Sequence, residues 1–388
     1  MNINLRQVAK FLILLLLIDA SYPVEPAAAQ NFVICKKRSN GAVRIRSNRC
    51  VRGETKINNI SMLTGADGTN GTNGADGANG SLRVYGDGSA GALTISSNTI
   101  LSEVNTQFTD VVINSGVILT VRSGTVIRCT GTFTNNGTIN VGTHSIGAYL
   151  HDSTTGMGTS PTFAVGGQGI ASAPAGQGAF GTNAAILQGG ASGINISIQT
   201  AKNVLRPGLV GGSGGGAGFS FVGGGSGGGT FTVIASGAIT NNGSITADGQ
   251  DISSSGAGGG GGIVILASKT SVTNAASGTI SATGGDGGAS TTTSGAHGGG
   301  GGGIIHLLST TAPVNAGTLT VAGGAAGDNS TAVTASPRVA GSGGGSCGGA
   351  GGNGSNVSSS GSGNVSSGNA AGTSGYTFLT TVDPTSLM

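Results

Sequence analysis

The sequence predicts an all-β chain: a glycine-rich β-solenoid of parallel β-helix type, with its glycine blocks placed as polyglycine-II layers, preceded by a small disulfide hairpin. Three observations predict it. First, a glycine block followed by an apolar strand and a Gly-led strand recurs three times. Its copies begin at Gly223, Gly256 and Gly298, continue through Thr230 to Ala235, Ile263 to Ala267 and Ile304 to Leu308, and close on Gly243-Ser244-Ile245-Thr246-Ala247, Gly278-Thr279-Ile280-Ser281-Ala282 and Gly317-Thr318-Leu319-Thr320-Val321. The landmarks Gly243, Gly278 and Gly317 are spaced by 35 and then 39 residues, a period that marks stacked architectures. Second, 80 of 388 residues are glycine, 8% are charged, 4% are aromatic and tryptophan is absent. Any core is therefore thin and built from Ile, Val, Leu and Ala, which excludes an ordinary large globular enzyme as the default. Third, residues 93–141 alternate with period two, and nothing there repeats at helical spacing.

Residues 1–29 read as a secretory signal peptide. Arg6 and Lys10 precede an apolar run from Phe11 to Ile18, too short to span a bilayer, and Ala27-Ala28-Ala29 offers a small-residue cleavage site. No transmembrane segment is expected after it, so the chain is expected outside the cell, secreted or at the surface.

Residues 30–64 form a basic head. Asn40-Gly41 between two β-prone runs is a strong hairpin signal, and in an exported chain with four cysteines it makes Cys35–Cys50 the expected disulfide. Cys129 and Cys347 either join neighbouring strands or remain buried thiols. Lys36, Lys37, Arg38, Arg44, Arg46, Arg49, Arg52 and Lys56 face a single acid, Glu54, so this segment carries about +7 against about −4 for the remainder of a chain of net +3. Such a patch attracts acidic polysaccharide, lipopolysaccharide or nucleic acid; the alternative is a small hairpin that solvates its charges. No aromatic platform is interleaved for single-strand stacking, so a specific nucleic-acid partner is not expected.

Residues 65–80 place glycine at every third position from Gly65 to Gly80. Only glycine fits the axis of a collagen triple helix, so the segment is either a short homotrimeric stalk or a flexible linker. Residues 81–208 are strand-rich, with strands expected over 111–113, 117–121, 125–127, 132–134 and 138–141 between turn glycines; 142–208 is the least regular stretch. Residues 209–388 carry the repeats. Within each, Ile280 and Ala282 face one way and Thr279 and Ser281 the other, and stacking makes a continuous apolar seam. Tyr376 to Leu379 is expected as a last strand.

The exported start, the Cys35/Cys50 basic hairpin and the Gly65-to-Gly80 triplets resemble bacterial surface proteins with short collagen-like repeats. The unit from Gly256 to Ala282 resembles the glycine-rich parallel β-helix repeats of secreted adhesins. The polyglycine blocks are similar to those in tip adhesins of T-even phage tail fibres, although a signal peptide argues against a phage origin. The resemblance implies an adhesive or structural role.

The glycine runs lack the strand-loop-helix context of a phosphate loop, and Gly224-Gly225-Ser226-Gly227-Gly228 lacks the flanks of a hydrolase elbow. His144, His151, His297 and His306 form no metal-ligand pair. Asp110, Asp152, Asp248, Asp251, Asp286 and Asp328 are scattered near turns. No catalytic residue, metal or cofactor is expected. The expected function is non-enzymatic binding to cells, matrix or cell-surface polysaccharide through the basic patch; the alternatives are an extracellular polysaccharide-degrading enzyme and a phage-type tip adhesin.

Overall fold

Short β-branched runs punctuated by glycine become three six-stranded parallel sheets. The computed structural model describes residues 32–39, 42–56, 84–143, 186–187, 189–205, 211–216, 224–253, 256–334, 340–358, 365–366 and 368–388. The expected signal peptide, the Asn40-Gly41 turn and the Gly65-to-Gly80 triplets lie outside them. The chain divides into two compact units, residues 1–80 and 81–388.

In the first unit Phe32–Lys37 is the central strand, paired antiparallel to Val43–Ser47 and to Glu54–Lys56. The third strand was not legible, being three polar residues long. The Cys35–Cys50 disulfide forms as expected, with Cα atoms 5.6 Å apart. Closing a 15-residue loop stabilises the head by about 3 kcal/mol in the chain-entropy account.

In the second unit the first sheet contains, in spatial order, Leu93–Ile95, Val111–Ile113, Phe133–Asn135, Ile239–Asn241, Val272–Asn274 and Val314–Asn315. The second contains Thr99–Leu101, Ile118–Val121, Thr138–Val141, Ser244–Thr246, Thr279–Ser281 and Thr318–Thr320. The third contains Asn105–Phe108, Thr125–Cys129, Thr230–Ala235, Ile263–Ser268, Ile304–Ser309 and Tyr376–Thr381. The chain visits the three sheets in turn and advances one strand position in each before returning to the first. Every pairing within these sheets is parallel, and equivalent residues stand opposite one another, as in Ile245 against Ile280 and Ile280 against Leu319.

One apolar cluster gathers alternate residues of all three sheets, among them Ile113, Leu119, Ile139, Phe231, Ile245, Leu266, Ile280 and Leu307. The expected alternation holds: Ile280 and Ala282 are fully buried while Thr279 and Ser281 are half-buried. The third sheet is covered on its other face too. Ile234, Ile263, Ile265, Ile304 and Leu308 pack there with Ala201, Cys347 and Met388, which is why its three central strands are buried at every position.

Where the chain leaves the first sheet, Asn135, Asn241, Asn274 and Asn315 stack, each of the first three donating Nδ2 to the next Oδ1 at 2.8 Å. Asn135, Asn241 and Asn274 are fully buried, and such a ladder satisfies polar groups that would otherwise be costly inside the sheet stack. The landmark glycines close this corner: a Cβ on Gly243 would meet Gly137 O at 1.9 Å, and one on Gly317 would meet Gly278 O at 2.1 Å.

Between the second and third sheets the first two circuits turn within a few residues. The last four circuits instead insert long glycine-rich excursions at this same corner, spanning 142–229, 247–262, 282–303 and 321–375. They carry a short helix, Ile198–Lys202, and a small antiparallel sheet of Ile186–Leu187, Asn356–Ser358 and Val365–Ser366, while their glycine blocks are bonded to one another at every third residue. His297, Gly300 and Gly303 donate to Gly288, Gly285 and Ala282; Gly298 and Gly301 to Ser342 and Gly345; Gly299 and Gly302 to Ala370 and Thr373. The same segment accepts from Gly258 and Gly261, from Gly324 and Gly327, and from Gly349 and Gly352. Ordering each glycine costs about 0.5–1 kcal/mol relative to alanine, which a net ~0.5–1.5 kcal/mol per backbone hydrogen bond offsets.

Candidate functional site

The basic head is the strongest candidate. Cross-strand partners share a face in an antiparallel sheet, so Cys35, Arg44 and Lys56 lie together, as do Lys37 and Glu54, and Arg46 beside Val33. Arg46 Nε and Nη2 donate to both Glu54 oxygens, at 3.2 and 2.7 Å. This hydrogen bonding holds the Glu54 carboxyl below its usual range and raises the Arg46 guanidinium above its own. It is the one ion pair among the described residues of the chain. Glu54 is therefore spent on Arg46, leaving Lys37, Arg44 and Lys56 exposed on that face.

The remaining cations of the expected patch are divided. Lys36 stands opposite Val43 and Thr55 on the other face, and Arg38 Nε donates to Thr55 Oγ1 at 3.0 Å. Arg49 and Arg52 are exposed between the second and third strands. The structure thus brings Lys37, Arg44, Arg46 and Lys56 to one face and places Lys36 on the opposite one, where Ile34, Val43 and Ile45 are exposed. The one-dimensional charge run could not separate these faces without the register. Cys35, Cys50 and Glu54 offer three ligand atoms within 4.8 Å of one another, but both sulfurs are bound in the disulfide and supply no thiolate for a metal.

In the second unit, the carboxylates serve the backbone. Asp110 Oδ1 accepts from Thr132 N, Asp248 Oδ1 from Thr283 N, Asp251 Oδ1 from Asp286 N, and Asp286 Oδ1 from Ala325 N. Each acid ties its own circuit to the next, and the Thr132 amide holds Asp110 below the usual carboxylate range. Asp251, Asp286 and Asp328, scattered in sequence, meet with Ser253 and Ala326 in a shallow open groove of about 350 Å³. Asp328 is turned onto the Ser330 amide and hydroxyl.

His297 is fully buried among the glycine excursions, between Ser294 Oγ at 3.1 Å and Ser342 Oγ at 2.8 Å. Burial pushes its imidazole down to about 3, so it is neutral at any physiological pH. His306, on the covered face of the third sheet, bonds Thr380 Oγ1 at 2.8 Å and lies 5.1 Å from the Phe378 ring. Burial and then the charge of Lys202 push it down to about 4. Cys129 and Cys347 are free thiols, and burial pushes both up to about 12; of the two readings left open by sequence, they are buried thiols. His144, His151 and Asp152 lie outside the described residues.

No helix among the described residues is long and apolar enough to cross a membrane. No family model matches the chain, and no curated protein or solved structure matches it.

Proposed function

We propose that this chain is a secreted, non-enzymatic structural or adhesive surface protein whose head binds acidic polysaccharide on cells or matrix. The body in this reading is a three-sided β-solenoid, the excursions form a polyglycine-II bundle against it, and residues 65–80 link or trimerise the molecule. The observation that carries the reading is the head's cationic face: Lys37, Arg44 and Lys56 exposed together on a sheet cross-linked by Cys35–Cys50, with the segment's single acid neutralised by Arg46. A face of this kind raises the local concentration of polyanions and binds them through many weak, salt-sensitive contacts.

The test is binding of the processed chain to sulfated or uronic polysaccharide, with and without residues Gln30 to Lys56. The reading expects binding that weakens as salt rises and is lost on truncation. Equal binding by the truncated chain would remove the head from recognition.

A second reading, cleavage of extracellular glycans, is favoured by the Asp251, Asp286 and Asp328 groove on a parallel-sheet body. Release of reducing or unsaturated ends from acidic polysaccharide would establish it. A phage-type tip adhesin is the third; it shares the glycine bundle, and recognition of a bacterial surface by the truncated chain would support it.

A further inference from the structure

We propose that the aliphatic face of the head, on the side of its sheet turned away from Lys37, Arg44 and Lys56, docks on the surface of an anionic phospholipid bilayer. The inference does not rest on polysaccharide binding, which uses the opposite face.

The strand register defines this surface. Ile34 stands opposite Ile45, and Lys36 stands opposite both Val43 and Thr55, so these side chains share one side of the sheet. Arg38, just past the central strand, reaches the same side and donates Nε to Thr55 Oγ1 at 3.0 Å. Ile34, Val43 and Ile45 are 38%, 48% and 71% exposed. One exposed isoleucine is ordinary, but here three aliphatic side chains face water together. Among the described residues of the head the buried apolar side chain is Cys35, on the other face. The head is therefore held by its disulfide, the Arg46–Glu54 pair and its strand ladders rather than by an aliphatic core. Its aliphatic side chains are left for an outside partner.

The neighbouring charges select that partner. Lys36 and Arg38 continue the row that Ile34 begins, while Glu54 stands on the opposite face with both carboxyl oxygens on Arg46. Among the described residues the face thus joins aliphatic groups to cations and carries no carboxylate. A soluble polyanion would answer Lys36 and Arg38 and leave Ile34, Val43 and Ile45 in water. A second copy seated face to face would cover the aliphatic groups, but an isologous contact sets the same patch against itself. It would bring together two segments of about +7 each, with Lys36 and Arg38 near their own counterparts.

An anionic bilayer answers both halves of the face. The aliphatic side chains enter the boundary between headgroups and acyl chains, and the stems of Lys36 and Arg38 lie along apolar surface with their charged ends at the phosphates. Arg49 and Arg52, exposed between the second and third strands, add to the attraction toward a negative surface within a Debye length. The Cys35–Cys50 cross-link holds the face in shape before contact, so little ordering is left to oppose docking.

The experiment is co-sedimentation of the processed chain with vesicles of phosphatidylglycerol and phosphatidylcholine, against vesicles of phosphatidylcholine alone. The proposal expects binding to the first and little to the second. Val43→Thr with Ile45→Thr keeps β-branched residues in the strand and should weaken vesicle binding about tenfold, with binding to sulfated polysaccharide unchanged. Lys36→Gln should weaken it about fivefold. The chain contains no tryptophan, so Ile45→Trp supplies a single reporter on this face and Arg44→Trp one on the other. Emission from the first should shift to the blue on vesicle addition and be quenched by brominated acyl chains, while the second stays at its solvent value. Circular dichroism and non-reducing electrophoresis check that each variant keeps its fold and its disulfide. Absence of vesicle binding by the folded wild-type chain, equal binding to the neutral vesicles, undiminished binding by the Val43/Ile45 variant, or a blue shift confined to the Arg44 reporter would each overturn the proposal. Loss of polysaccharide binding alone would overturn only the reading of the opposite face.

Discussion

The sheets and the glycine excursions of residues 81–388 solve the same problem with opposite means. In the sheets, side chains fill the interior: Ile113, Leu119, Phe133, Ile245 and Ile280 are fully buried, and apolar burial supplies about 25 cal/mol per Å². In the glycine blocks of the excursions, such as Gly298 to Gly303, there is no side chain to bury, and the backbone itself is the packing surface. A Cβ on Gly298, Gly299, Gly300, Gly301, Gly302 or Gly303 would come within 1.9–2.1 Å of a carbonyl oxygen in a neighbouring segment. The comparison teaches that glycine is interior here for the reason isoleucine is interior there: it fits the space without leaving a void or an unpaired polar group.

Substitutions separate the two regions. The largest effect is expected from Gly300→Val, because its first side-chain carbon would sit 1.9 Å from Gly259 O, a clash with backbone that rotamers cannot relieve. Loss exceeding about 4 kcal/mol, read as failure to give a cooperative melt, is the expected outcome. A normal melt for this variant would break the comparison. Ile280→Ala, in the buried column of the second sheet, is expected to cost about 2–5 kcal/mol by cavity formation, measured by denaturant unfolding.

Acid probes both regions at once, since His297 lies in the excursions and His306 in the third sheet. Each is neutral in both states above its unfolded value of about 6.5, so stability is flat there. Below about 6.5 the unfolded chain takes up protons that the folded chain refuses until about 4 at His306 and about 3 at His297. Stability should therefore fall by about 1.4 kcal/mol per pH unit for each histidine over that window. His306→Phe should halve the slope between pH 6 and 4.5; an unchanged slope would mean that the sheet histidine is hydrated in solution.

The smallest effect is expected at the corner between the first and second sheets, away from the excursions. Asn241→Ala removes both the bond to Asn274 and an acceptor for Asn135, leaving a buried amide donor short of a partner at about 1–3 kcal/mol. A double variant with Asn274→Ala should be less than additive, since the two share one hydrogen bond.

Much of this architecture was legible in one dimension. The β-branched alternation at Val111-Val112-Ile113 and Thr279-Ile280-Ser281 sets strand and facing together, and Gly243, Gly278 and Gly317 mark the corner because nothing larger fits there. Glycine blocks flanked by apolar strands pointed to packing surfaces. The three-sheet assignment was not legible, because a strand's sheet depends on partners such as Phe133 and Ile239, which stand 106 residues apart. The asparagine ladder was hidden for the same reason: Asn135-Asn136 reads locally as a turn, and its role appears only when Asn241 stands beside it. At the head, the charge run was legible, but which cations share a face depends on the pairing of Cys35 with both Arg44 and Lys56.

Native-state hydrogen exchange of the amides from His297 to Gly303 tests the central claim most directly. If the side-chain-free segments are packed solid, these amides exchange as slowly as those of Ile263–Ser268 in the adjoining sheet, near the rate of global unfolding. Exchange at the rate of an unstructured peptide, beside a protected sheet, would contradict it.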